Sequence, residues 1–126
     1  MKYVQVLTYK GRQMWYLDAA NKDEKETLAA WEEAKQVLGR EKEGCLAVID
    51  ARNMPMSVAI LKTAKEAAEM PKGDQRYRVA FVGMTGMSKS MAQIHAATRH
   101  VNAHFVDTIE EAREWLLKEA ERTLKR

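Results

Sequence analysis

An apolar run that stops abruptly constrains this chain more than any other stretch. The run CLAVI at residues 45–49 carries no charge and fits a strand buried on both faces. It breaks at Asp50, Arg52 and Asn53, and Pro55 and Ser57 follow at the mouth of a helical pattern. A second run, RVAFV at residues 78–82, leads through Gly83 and Gly86 into another helical pattern. Single short strands that alternate with single helices require crossover connections and parallel pairing. In open α/β sheets, the corners at the carboxyl ends of such strands are where ligands and partners are met. The corner at residues 50–57 is therefore the first place to look for function.

The remaining elements follow from periodicity. Residues 3–9 read as a strand, with Tyr3, Gln5, Leu7 and Tyr9 on one face and Val4, Val6 and Thr8 on the other. Lys10, Gly11 and Arg12 make a turn into a second strand at 13–17, giving a hairpin. A helix is predicted over 22–38, opened by a capping-box pattern of Asn21 and Glu24 and stopped by Gly39. Its apolar stripe is Leu28, Trp31, Ala34 and Leu38. Further helices are predicted over 58–70, capped by Ser57 and ended by Pro71, and over 88–101, capped by Ser88. In the latter, Met87, Met91, Ile94 and Val101 are expected to face inward. A short strand at 104–106 precedes a last helix opened by Thr108 and Glu111, with Ala112, Leu116 and Ala120 as its stripe. The predicted order is ββαβαβαβα in one α/β domain covering residues 1–126.

Composition narrows the function classes. The 21 basic and 18 acidic residues are mixed along the chain and leave a net charge of only +3. Without a basic stripe or a recognisable motif, nucleic-acid binding is not expected. No apolar run approaches the ~20 residues that a membrane span needs, and the N-terminal residues lack a signal-peptide pattern. One cysteine cannot form an internal disulfide, so a reducing compartment, the cytoplasm, is the expected location.

Three pieces of the chain carry a family resemblance: Ala47 to Pro55, Arg78 to Gly83, and Ala103 to Asp107 running into Glu110, Glu111, Ala112, Trp115 and Leu116. In this order they resemble the STAS superfamily, and more narrowly its SpoIIAA-like (STAS/Sec14-like) small bacterial domains. The resemblance implies a SpoIIAA-like (STAS-like) fold, with a mixed central sheet and helices packed mainly on one side. It also implies a non-enzymatic regulatory or ligand-binding module without a cofactor, acting through protein–protein contacts at the corner. An anionic or lipid-like small ligand at the same corner is the alternative, a small enzyme whose acid–base residues carry no recognisable pattern is the third reading, and a homodimer is compatible with the first two. In anti-sigma antagonists this corner carries an Asp-Ser-Ser/Thr-Gly pattern in which a serine accepts phosphate. Here the corner has Asp50, Ala51, Arg52 and Asn53, so the aspartate carries over and the acceptor does not. Ser57 is the hydroxyl left in the loop, a candidate phosphosite as well as a helix cap.

Other candidate chemistry is weaker. The turn Gly83, Met84, Thr85, Gly86, Met87, Ser88, Lys89 invites a phosphate-loop interpretation, but Ser88 stands where a P-loop needs its second glycine. A plain strand-to-helix turn or a generic anion site remains. His95 and His100 are five residues apart and diverge by roughly 140° around a helix, so with His104 they are not expected to bind metal. His95 and Arg99 share a helical face and would suit an anion if the fold brought them to Lys89 and Arg52. Cys45 sits at the far end of its strand from the charged corner, and no Ser-His-Asp arrangement is evident. Met54, Met56 and Met84 fall in the two corners and suit either a soft apolar patch or core filling. The expected contact set is thus Asp50, Arg52, Asn53, Met54, Met56, Ser57, Met84, Thr85, Ser88 and Lys89.

Overall fold

The computed structural model describes residues 2–38, 40, 45–68, 78–99 and 102–124, with 68, 87, 88, 95–99 and 122–124 described by backbone alone. The elements are β1 (Val4–Tyr9), β2 (Arg12–Asp18), α1 (Glu24–Leu38), β3 (Leu46–Asp50), α2 (Val58–Ala68), β4 (Arg78–Val82), α3 (Gly86–Arg99), β5 (Asn102–Val106) and α4 (Ile109–Leu124). The order ββαβαβαβα and the α/β class are as the sequence indicates.

Each strand adds beside the previous one. The 5-stranded sheet has the order β1-β2-β3-β4-β5, antiparallel between β1 and β2 and parallel thereafter. The hairpin closes on a two-residue turn, since Tyr9 faces Arg12 and the residues between them, Lys10 and Gly11, have φ of 49° and 81°. Positive φ at both turn positions matches the right-handed twist of the flanking strands. The crossovers from β2 through β5 all advance in one direction. Right-handed crossovers that never reverse place their helices on one face.

Alternation along the strands sorts the apolar side chains into two clusters. On one face, Leu17, Ala47, Ile49 and Val79 meet Ala30, Trp31 and Ala34 of α1 and Ile60 and Ala67 of α2, with Ala92 of α3 against them. On the other, Met14, Val48, Ala80 and Val82 meet Ala112 and Leu116 of α4 alone. Arg78 is buried on that second face, with Nε 3.6 Å from Glu119 Oε2 of α4.

Several local expectations change. Helix α1 begins at Glu24, and its cap is Asp23, whose Oδ1 accepts the Glu26 N–H at 2.8 Å. Asn21 is not the cap: it takes φ 55° and turns toward the next loop. Helix α3 begins at Gly86, where the Lys89 N–H reaches the Thr85 carbonyl, so Ser88 lies inside the helix rather than capping it. Met91 and Ile94 are 39% and 68% exposed, not inward-facing, because Ala92 occupies the side of α3 that meets the core. Gly39, residues 69–77 with Pro71, His100 and Val101 lie outside the described residues. By contrast, Ser57 Oγ accepts the Ile60 N–H at 3.2 Å and Thr108 Oγ1 the Glu111 N–H at 3.1 Å, as their sequence context indicates.

Candidate functional site

The carboxyl rim of the parallel strands is a row of register partners: Asp18, Asp50, Val82 and Val106. The ladder continues one residue beyond it. Ala19 donates to the Asp50 carbonyl at 3.0 Å, Ala51 to Val82 at 2.9 Å, and Gly83 to Val106 at 2.9 Å. The loops that leave the rim therefore start from a fixed backbone.

Asp50 closes β3 on the face that α4 covers and is 1% exposed. A buried carboxylate must be answered by donors, and four contacts meet it. Arg52 donates Nε to Oδ1 at 2.8 Å and Nη2 to Oδ2 at 2.6 Å. The Arg52 backbone N–H adds a longer bond of 3.4 Å to Oδ1, and the Tyr16 hydroxyl donates to Oδ2 at 2.8 Å. Tyr16 lies on β2 opposite Val48, one pleat before Asp50 on the same face. Burial works to raise the Asp50 carboxyl, but the Arg52 and Tyr16 hydrogen bonds outweigh it and hold it below the ordinary aspartate range. Tyr16 is pushed upward, by burial first and by its hydrogen bond to Asp50 second. Arg52 is raised through its bonds to Asp50.

Arg52 is held from beneath as well. Gly83 has φ +76°, and a Cβ built there would lie under 3.0 Å from Arg52 Cγ. Only glycine supplies both the left-handed backbone and the space for the arginine stem. One residue on, Asn53 takes φ 53° and donates Nδ2 to Asn21 Oδ1 at 2.7 Å, while the Asn21 N–H bonds the Arg52 carbonyl at 2.9 Å. Short amide side chains tolerate the left-handed region better than most, so the two asparagines clasp the β2 and β3 loops together.

The expected contact set divides. Arg52, Asn53 and Thr85 are exposed, and Ser57 and Lys89 are half-buried, with the Ser57 hydroxyl engaged as a cap. The Ser88 side chain, like those of His95 and Arg99, lies outside the described residues. Met54 and Met84 are 8% and 5% exposed and belong to the apolar cluster under α1 and α2, with Met56 packed against it. Met54 and Met84 fill the core instead of lining a surface patch, and the bond of the Met54 N–H to the Ala51 carbonyl, 3.2 Å, folds the β3 loop back on itself. Tyr16, Asn21 and Gly83 belong to the site and were not among the residues expected from sequence. Tyr16 carried no local signal, whereas a glycine straight after a strand end is a signal for close backbone approach.

Away from the corner, His104 is exposed and stacks on Trp115 with ring centres 4.9 Å apart. Cys45 is half-buried at the opposite end of β3. Among the described residues, no group of three or more His, Cys, Asp or Glu is placed to hold a metal ion. No helix is long and apolar enough to cross a membrane among those residues. A small apolar cavity, lined by Val4, Trp15, Leu17, Ala34, Leu38, Ala47 and Ile49, lies between the sheet and α1, away from the corner. Comparison with protein-family models gives no match for this chain, and comparison with curated proteins gives none either.

Proposed function

We propose that this chain is a non-enzymatic, STAS-like (SpoIIAA-like) binding module whose contact surface is the rim corner around residues 50–57. The observation that carries this reading is the corner's pre-organisation. Arg52 and Asn53 are exposed, yet each is bonded to a neighbouring element: Arg52 to the buried Asp50, Asn53 to Asn21 across the loops. Side chains already ordered lose less entropy when a partner docks. A non-catalytic role for Asp50 is supported by its chemistry. A buried carboxylate with a lowered pKa and bonds to Tyr16 and Arg52 on both oxygens is a weak base.

A flat protein contact is favoured over a pocket for an amphiphile. The methionines that would line such a pocket, Met54 and Met84, are packed into the core. The sheet order also never reverses, and it is at a reversal that α/β sheets open a crevice.

A photo-crosslinking residue at Asn53 tests the proposal, with the same residue at exposed Gln36 on α1 as control. One defined adduct from position 53, lost when Arg52 is changed to alanine, is the expected result. Equal adducts from both positions would refute the corner as the contact surface. Turnover of an acyl or phosphoryl substrate, abolished by Asp50→Asn, would refute the non-enzymatic reading.

A further inference from the structure

The charges at the corner are answered from within, and this bears on the kind of partner it suits. Arg52 turns its Nε and Nη2 edge onto both oxygens of Asp50, at 2.8 and 2.6 Å. That two-pronged geometry is one of the two edges a guanidinium offers to an external carboxylate or phosphate. Beside it, Lys22 Nζ lies 3.2 Å from Asp18 Oδ2. Asp18 and Asp50 are register partners, so the two internal ion pairs stand on adjacent strands of one rim. Between them the corner displays the exposed carboxamides of Asn21 and Asn53. The one bond that joins these amides uses a single donor and a single acceptor of the pair.

We propose that Asp50 is a built-in occupant of the Nε/Nη2 fork of Arg52 that keeps phosphate and acidic side chains off that fork. This inference rests on the contact function proposed above. It makes association less dependent on salt than an unpaired Arg52 would, because that guanidinium is already paired with Asp50.

Inorganic phosphate is the probe. Backbone amide and arginine Nε–H shifts are followed by NMR as phosphate is added to the full chain, to Asp50→Asn, and to Asp50→Asn combined with Arg52→Ala. Asparagine keeps a carbonyl oxygen for the Tyr16 hydroxyl while removing the charge. The native chain is expected to show no saturable shift at residues 52 and 53. Asp50→Asn is expected to bind phosphate about tenfold more tightly than the native chain, the scale of removing one unit charge beside a guanidinium. The double variant is expected to lose the gain. Native binding as tight as the variant's, or no gain in the variant, would overturn the proposal.

If Asp50→Asn fails to fold by circular dichroism, the native titration decides. An Arg52 Nε–H signal that moves with phosphate overturns the proposal, and one that stays fixed supports it. No protein partner is present in these titrations. Their failure leaves the contact function standing, whereas equal crosslinking at Asn53 and Gln36 refutes the contact function and leaves the occupied fork standing.

Discussion

Changing Gly83 to alanine probes the corner where backbone conformation and side-chain packing meet. Two costs are expected, and they are separable. A left-handed φ of +76° costs a residue with a Cβ about 1–2 kcal/mol. The new methyl would also lie under 3.0 Å from Arg52 Cγ, and forcing a group into occupied space costs about 1–3 kcal/mol. The sum is about 3 kcal/mol. Arg52→Ala removes Cγ and leaves the Arg52 Cα and Cβ positions at 3.4 Å, ordinary contact, so Gly83→Ala in that background retains only the backbone cost of about 1 kcal/mol. Urea unfolding followed by fluorescence of the buried Trp31 measures both. With a slope of about 2 kcal/mol/M, the midpoint falls by about 1.5 M in the native background and about 0.5 M beside Arg52→Ala. An equal fall in both backgrounds would refute the close packing of Arg52 on Gly83.

Asp23→Ala removes the α1 cap, should cost about 1 kcal/mol and should speed amide exchange at Glu26, whereas Asn21→Ala, which loses the Asn53 clasp, should leave the protection of that amide unchanged. Leu116→Ala empties a fully buried position under α4 and should cost about 2–5 kcal/mol in the same urea assay. The Asp50 carboxyl is lowered in the folded state. Its contribution to stability is therefore complete above the unfolded value of 3.8 and is lost as pH falls through the folded one, so Asp50→Asn should flatten the acid limb of the stability–pH curve. Tyr16 is raised, so its contribution is complete below 10.0 and is lost as pH rises toward the folded value. Phenolate absorbance should show late-ionising tyrosine in the folded chain and one such group fewer in Tyr16→Phe, where Tyr9, raised by its bond to Glu114, remains.

The element order is legible because the chain changes period where its structure changes. The run at 78–82 has the bounds of β4, and Ser57 and Thr108 cap their helices as their contexts indicate. Errors concentrate where two local solutions compete. Asn21 with Glu24 and Asp23 with Glu26 are both plausible helix starts, and the choice is made by Asn53, a residue far along the chain that draws Asn21 into a tertiary clasp. On α3, methionine and isoleucine at helical spacing suggest a buried stripe, but the small Ala92 takes the inward position. The corner was legible as a place, since Asp50 and Arg52 interrupt an apolar strand. Its wiring was not. That Asp50 and Arg52 pair with each other, that Tyr16 two residues off in register completes the shell, and that Gly83 makes room for the arginine are consequences of strands that meet only in the folded sheet.

The topology explains why such a corner has to be assembled from these particular groups. A sheet whose strands add in sequence order has no reversal at which two loops part to form a crevice. Its carboxyl rim is instead a continuous edge, and what can be built there is a surface. Burying Asp50 at the end of β3 is costly on its own, yet with Arg52 and Tyr16 bound to it, the carboxylate converts a flexible arginine into a fixed feature of that surface. Removing the arginine would leave an under-satisfied buried charge, and removing the aspartate would leave a mobile cation at the rim. Each group therefore fixes the other. In the contact function proposed above, this reciprocity gives a partner a corner whose shape is set before it docks.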